Sequence, residues 1–387
     1  MPPGSPLGLY LHIPFCAHIC PYCDFNTYAG QDTLIPRYVD ALCVEIQRRG
    51  AAYEHPAAST LFFGGGTPSL LSPTDVARII AICRSAFDLA ADAEITLEAN
   101  PNGLTAAYLE DLLRVGVNRL SIGAQTLDRR GLRSLGRLHE VSDVAGALVA
   151  ARKAGFTNLS LDLIFGWPQQ TLQAWRRDLT EVLSGSLDGV VPDHLSLYSL
   201  IVEPGTPMFD AVSRGILRVP DDDATAEMYE LAIALLNEAG WMHYEVANWA
   251  ASPEFASQHN LIYWRNGEYL GAGAGAHGRV GGERWMNHLL PATYCNTIER
   301  NESAVSNVEF LPLETSMAES MMLGLRLLDQ GVDAAAFEAR YQIALHDRFG
   351  PIIDELVGLG LLRWDSSRLT LTHRGLMLAN DVCARFV

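Results

Sequence analysis

Strand-like and helix-like segments alternate along the first 200 residues of this 387-residue chain, and that alternation constrains the fold more than any other feature. Short apolar, β-branched runs at 7–13, 60–63, 94–99, 119–123, 158–165 and 194–200 are separated by amphipathic stretches at 35–49, 73–87, 106–115, 142–154 and 172–183. Strands joined by helical crossovers lie parallel in one sheet. Six such units predict an α/β fold with the sheet curved into a partial barrel. At 49% hydrophobic content the chain can bury a core of that size.

Most of the unusual residues fall at or near the C-terminal ends of these runs, where parallel barrels build their sites. Cys16, Cys20 and Cys23 follow the first run closely. A four-iron cluster needs one ligand per iron, so three thiolates leave one iron open to bind and activate something else. A structural zinc site would add His12 or His18, but no second knuckle follows at zinc spacing. The remaining cysteines, Cys43, Cys83, Cys295 and Cys383, are scattered singly in apolar or helical stretches and read as small buried hydrophobes. A disulfide framework does not fit seven cysteines in a long chain without a secretory signal.

Phe62-Phe63-Gly64-Gly65-Gly66-Thr67-Pro68 ends the second run. Its glycines let the backbone approach a ligand closely, and it lacks the lysine and spacing of a P-loop. Glu98 and Asp162 are charges set in apolar strands, a placement that costs several kcal/mol unless each finds a partner. The partner is either a polar ligand or a closed ion pair, such as Glu98 with Arg137.

The order Tyr10, His12, Pro14, Cys16, Cys20, Tyr22, Cys23 resembles the start of the radical S-adenosylmethionine (SAM) superfamily, and within it the oxygen-independent coproporphyrinogen oxidase branch. The resemblance implies a 4Fe-4S cluster on Cys16, Cys20 and Cys23, with SAM chelating the open iron. It also implies SAM contacts at Tyr10, Tyr22, Gly65, Gly66, Thr67, Glu98, Gln125, Arg137 and Asp162. One acid, one amide, one guanidinium and a second acid match by type the ammonium, carboxylate, sulfonium and ribose diol of SAM.

Beyond residue 200 the pattern changes. Glu203-Pro204-Gly205-Thr206-Pro207 closes the sixth run, an acidic cap at Asp221 opens a helix to about Gly240, and one more strand is predicted at 241–247. His259, Asn260, Tyr263 and Trp264 then combine an imidazole with flat aromatic walls, a set suited to a porphyrin. The glycine-rich run from Gly271 to Gly278 reads as flexible, close-packing backbone and carries His277. The oxidases of the branch carry a fourth cysteine where this chain has Phe25, and a long N-terminal extension that this chain is expected to lack. The His259 motif instead resembles the haem-chaperone (HemW) family of the superfamily. That resemblance implies His259 as a haem ligand, haem as cargo, and haem-accepting client proteins, possibly respiratory, as partners. The alternatives are coproporphyrinogen decarboxylation or another radical SAM modification of a tetrapyrrole.

From Leu313 the chain reads as helices followed by a two-stranded pattern and a closing helix from His373, a winged-helix-like order. The net charge of −17, with Lys153 the only lysine, argues against nucleic acid, so this module is read as a lid or docking element. Met317, Met321 and Met322 read as core. Three units are expected: the cluster- and SAM-bearing partial barrel over 1–205, an extension with the His259 motif over 206–310, and the C-terminal helical module over 311–387. No stretch reaches the roughly 18 apolar residues of a membrane span, and the N-terminus lacks a signal-like pattern. A cytoplasmic protein with at most peripheral membrane contact is expected.

Overall fold

The computed structural model describes residues 6–387, so residues 1–5 of the N-terminal stretch read for an export signal lie outside it. Six parallel strands follow one another in chain order: β1 (Leu7–Ile13), β2 (Ala57–Gly65), β3 (Asp88–Ala99), β4 (Arg119–Gln125), β5 (Leu159–Phe165) and β6 (His194–Ser199). Between them run α1 (Ile35–Ala52), α2 (Pro73–Ala86), α3 (Ala106–Val115), α4 (Val141–Ala154) and α5 (Leu172–Leu183). Strand order equal to chain order, with the sheet left open, is the partial (β/α)6 barrel that the alternation predicts. The helices start where short polar side chains can cap them: Ser72, Thr105 and Thr171 each accept a hydrogen bond from the backbone N–H three residues on.

The strands alternate by face. Leu9, Leu11, Leu61, Phe63, Ile95, Leu97, Leu120, Ile122, Leu161 and Leu163 are fully or almost fully buried in one continuous core. The intervening positions hold polar and aromatic residues that meet laterally across the sheet: Tyr10 beside Phe62, Phe62 beside Thr96, Thr96 beside Arg119, Glu98 beside Ser121, Gly123 beside Asp162, and Asp162 beside Ser196. A period of two therefore divides each strand between a dry outer layer and a polar interior.

The sheet is larger than the sequence pattern indicates, with twelve strands. Beyond β6 lie β7 (Met242–Glu245) and β8 (Asn248–Ala250), after α6 (Asp222–Glu238). At the opposite edge, β9 (Tyr269–Ala272) pairs parallel to β1 and is followed by antiparallel β10 (His277–Val280), β11 (Glu283–Asn287) and β12 (Val305–Phe310). The glycine-rich run expected to be flexible is thus strand and tight turn. A Cβ on Gly271 would collide with the His277 carbonyl, and one on Gly278 with the Trp285 ring, so these glycines let neighbouring elements close on one another.

The C-terminal module packs α8 (Leu313–Gly324), α9 (Ala334–Tyr341) and α10 (Leu345–Gly358) against a small antiparallel sheet of β13 (Val332–Asp333), β14 (Leu362–Trp364) and β15 (Arg368–Leu371). This is the helices-then-hairpin order expected of a winged-helix-like domain, with one added short strand. Met317 and Met321 are buried in its core. Among the described residues, no helix is long and apolar enough to cross a membrane.

Candidate functional site

The cysteine loop leaves the C-terminal end of β1 and is held over the barrel mouth by short contacts. The Cys23 N–H donates to the Cys20 carbonyl at 3.1 Å, and Tyr22 packs with Leu135, Ile164, Trp167 and Met208. His12 does not belong to a metal site. Its Nε2–H donates to the Asn26 carbonyl at 2.9 Å, and its Nδ1 accepts from the Tyr10 hydroxyl at 3.0 Å. Cys43, Cys83 and Cys295 are buried, Cys383 is partly so, and all seven cysteines are free thiols.

Donors converge on two of the three thiols, Cys16 and Cys20. Thr67 Oγ1 donates to Cys16 Sγ at 3.5 Å, Asn100 Nδ2 donates to Thr67 Oγ1 at 3.3 Å, and Arg137 Nη2 donates to Asn100 Oδ1 at 2.6 Å. Arg137 Nη1 then reaches Cys20 Sγ at 3.8 Å. One polar chain therefore runs from one cysteine to another through Thr67, Asn100 and Arg137. The Thr67 hydroxyl favours the Cys16 thiolate, against the burial that pushes the Cys16 and Cys23 thiols up. Gly66 completes the cradle, since a Cβ there would sit 2.6 Å from the Phe15 carbonyl oxygen and 3.0 Å from Cys16 Sγ. Among the described residues no three His, Cys, Asp or Glu side chains converge on a single metal ion. The chemistry of the donor set fits a thiolate-ligated cluster.

Below this tier lies an interior cavity of about 180 Å³ lined by Tyr10, Glu98, Arg119, Asp162, Tyr198 and His259, among others. Glu98 links the tiers, because the Gly65 N–H, presented by a backbone with φ of 114°, donates to its Oε2 at 3.1 Å. Burial, reinforced by the Asp162 carboxylate, pushes the Glu98 carboxyl up to about 8. Burial also raises the Asp162 carboxyl, although Ser121 Oγ donates to both of its oxygens at 3.1 and 3.2 Å. The closed Glu98–Arg137 ion pair does not form: among the described residues neither carboxylate takes part in a salt bridge, and Arg137 is spent on Asn100, the Gly123 carbonyl and Cys20. The Arg137 Nε and Arg119 Nε are buried without acceptors among the described residues. Two unpaired acids, with donors left over, fit a ligand that brings both cationic and anionic groups. Gln125 ends β4 at the same mouth with φ of 67°.

His259 sits on the other side of the cavity. It belongs to a short helix, α7 (Gln258–Trp264), whose first N–H groups donate to Glu94 near the start of the regular part of β3, so α7 closes the N-terminal end of the barrel. The imidazole is 1% exposed, with Nδ1 2.7 Å from Thr60 Oγ1 and Nε2 2.8 Å from the Tyr263 hydroxyl. Burial, with the Arg119 charge, pushes it down to about 3. With both ring nitrogens in hydrogen bonds and a cavity of only about 180 Å³ beside it, the imidazole offers no free lone pair to a haem iron in this conformation. His277, on β10, is exposed and is not among the residues that line this pocket.

Arg119, Asn100, Ser121, Ser196 and Tyr198 were not singled out from the sequence. Their signal is the polar residue at every second position of otherwise apolar strands, as in Arg119-Leu120-Ser121 and Ser196-Leu197-Tyr198.

The chain matches the radical SAM superfamily over residues 10–182 and the HemN C-terminal domain over residues 311–378. It is 38% identical to the heme chaperone HemW of Bacillus subtilis, over 98% of each chain. It is 37% identical to that of Lactococcus lactis, over 99% of this chain and 98% of the relative. The solved structure of coproporphyrinogen III oxidase (HemN) from Escherichia coli, a radical SAM enzyme, superposes with a TM-score of 0.85 at 26% identity, covering 99% of this chain and 90% of that one.

Proposed function

Because the chain belongs to the HemW family of the radical SAM superfamily, we propose that it is a haem chaperone that binds haem and delivers it to haem-accepting proteins, including respiratory ones. In this reading Cys16, Cys20 and Cys23 hold a 4Fe-4S cluster that supplies an open iron and one-electron chemistry. Tyr10, Tyr22, Gly65, Gly66, Thr67, Glu98, Gln125, Arg137 and Asp162 hold SAM. The observation that carries the cofactor half is the polar chain from Cys16 through Thr67, Asn100 and Arg137 to Cys20. Glu98 and Asp162 await a cation, the unsatisfied guanidiniums await an anion, and Gly65 and Gly66 keep the backbone open to close approach. The reading places the protein in the cytoplasm.

The cargo half rests on the relatives and on Phe25 in place of a fourth cysteine. An anaerobic haem titration of the cluster-reconstituted protein tests it. Saturable binding, with no decarboxylation of coproporphyrinogen in the presence of SAM and reductant, is the expected result. Turnover of coproporphyrinogen without haem binding would replace the chaperone by the oxidase.

A further inference from the structure

A second cavity, larger and more apolar than the first, lies outside the barrel interior. It is a groove of about 690 Å³ between the outer side of α7 and the C-terminal module, with Trp264 and Arg265 on one wall and Leu327, Phe337, Arg340 and Tyr341 on the other. That volume falls within the roughly 300–1,000 Å³ of pockets that enclose ligands of drug size or larger. Phe337 and Tyr341 lie in contact with one another, and Arg326 covers one part of the Trp264 ring with its guanidinium 4.3 Å from the centroid. The Trp264 indole N–H is buried with no acceptor among the described residues.

The charge at this groove runs against that of the chain. In a protein of net charge −17, Arg265 donates only to the neutral Gln330 Oε1, at 3.1 Å, and Arg340 only to the Asn266 carbonyl, at 2.8 Å. Neither has a carboxylate partner among the described residues. The single acid on the wall, Asp333, is already engaged, capping α9 through the Ala336 N–H and facing Arg368 at 3.8 Å. Two unneutralised guanidiniums at an apolar cavity select a ligand with a large apolar body and carboxylates, because a guanidinium pairs bidentately with a carboxylate and the apolar walls favour an apolar body. Among the described residues no His, Cys or Met lines the groove, and the Tyr341 hydroxyl is held by Ser316 and Ser320, so no side chain there is free to ligate a metal at the ligand's centre.

We propose that this groove is the binding site for the tetrapyrrole, with the macrocycle in its apolar body and the propionates on Arg265 and Arg340. The proposal rests on the haem-carrier reading and deepens it: recognition is through the apolar macrocycle and the carboxylates, and the iron is left available to an acceptor. Because α7 carries His259 on its inner side and Trp264 on its outer side, with Arg265 just past its end, one helix separates the cargo groove from the cofactor cavity.

The test is a titration of the full-length, cluster-reconstituted protein with haem and, separately, with iron-free protoporphyrin. The wild type should bind both, with affinities within about threefold of each other. The double variant Arg265→Gln/Arg340→Gln should weaken both at least tenfold. Ala336→Trp, at an exposed position of α9 on the groove wall, should do the same by filling the space, with cluster content and far-ultraviolet circular dichroism unchanged as the control for folding. Haem binding by the wild type that survives in all these folded variants, or that is absent for iron-free porphyrin, would overturn the groove and leave the haem-carrier reading standing. No binding of haem by the wild type would overturn the reading itself.

Discussion

Glu98 should release a proton when SAM binds. Its carboxyl, pushed up to about 8 by burial and by Asp162, is roughly nine-tenths protonated at pH 7, half at pH 8 and one-tenth at pH 9. A ligand that places a cation beside it favours the charged form, so the proton leaves on binding. The sign follows from the raised value. Below pH 8 each unit of acidification should cost the wild type about tenfold in SAM affinity through this group, and above pH 8 the dependence should flatten. SAM's own α-amino group titrates in the same range, so the difference between wild type and Glu98→Gln carries the test. Glutamine keeps an oxygen acceptor for the Gly65 N–H but has no proton to lose. Calorimetric titration of the cluster-reconstituted protein with SAM, in two buffers of different ionisation enthalpy, should show wild type releasing about 0.9 proton more than the variant at pH 7 and about 0.1 more at pH 9. The variant should bind SAM about 10- to 150-fold more weakly, the range expected for losing one hydrogen bond to a charged group. Equal proton release by the two proteins at pH 7, with SAM bound by both, would refute the assignment of Glu98 to the SAM cation.

The cysteine cradle and the helix that closes the barrel are open to similar tests. Gly66→Ala places a methyl 2.6 Å from the Phe15 carbonyl oxygen and 3.0 Å from Cys16 Sγ, so iron and sulfide content after reconstitution should fall severalfold while the barrel remains folded by circular dichroism. His259→Ala strands the Thr60 and Tyr263 hydroxyls and should cost about 2–4 kcal/mol in denaturant unfolding. A histidine held down to about 3 contributes stability that is present above its unfolded value of about 6.5 and lost as pH falls toward 3. The wild type should therefore lose stability on acidification through that window more steeply than the variant.

The barrel was legible because each strand and helix is long enough to show its own period, and because caps such as Ser72 and Thr105 mark where helices begin. Strands β9 and β10 were hidden for a physical reason. Their glycines serve close packing, at Gly271 against the His277 backbone and at Gly278 against Trp285, and glycine spacing alone looks the same in a flexible loop. Site residues were legible where a charge interrupts an apolar strand, as at Glu98 and Asp162. Arg119 carries the same signal but stands at a strand's first residue, where a charge is ordinary; only the register that sets it beside Thr96, inside the barrel, reveals its burial. His259 shows the converse: its aromatic neighbours are visible in the sequence, but the hydrogen bonds of both ring nitrogens, to Thr60 199 residues away and to Tyr263, require the fold.

If this protein carries haem and gives it up, haem must pass from it to an acceptor. The most direct measurement is haem transfer: the cluster-reconstituted protein is loaded with one equivalent of haem, separated from free haem, and mixed anaerobically with an excess of an apo respiratory haem protein, while the visible spectrum and the acceptor's activity are followed. The donor spectrum should disappear as the acceptor spectrum and activity appear, faster than with haem released from serum albumin. Haem that stays on the donor, or that reaches the acceptor no faster than from albumin, would contradict the haem-carrier reading.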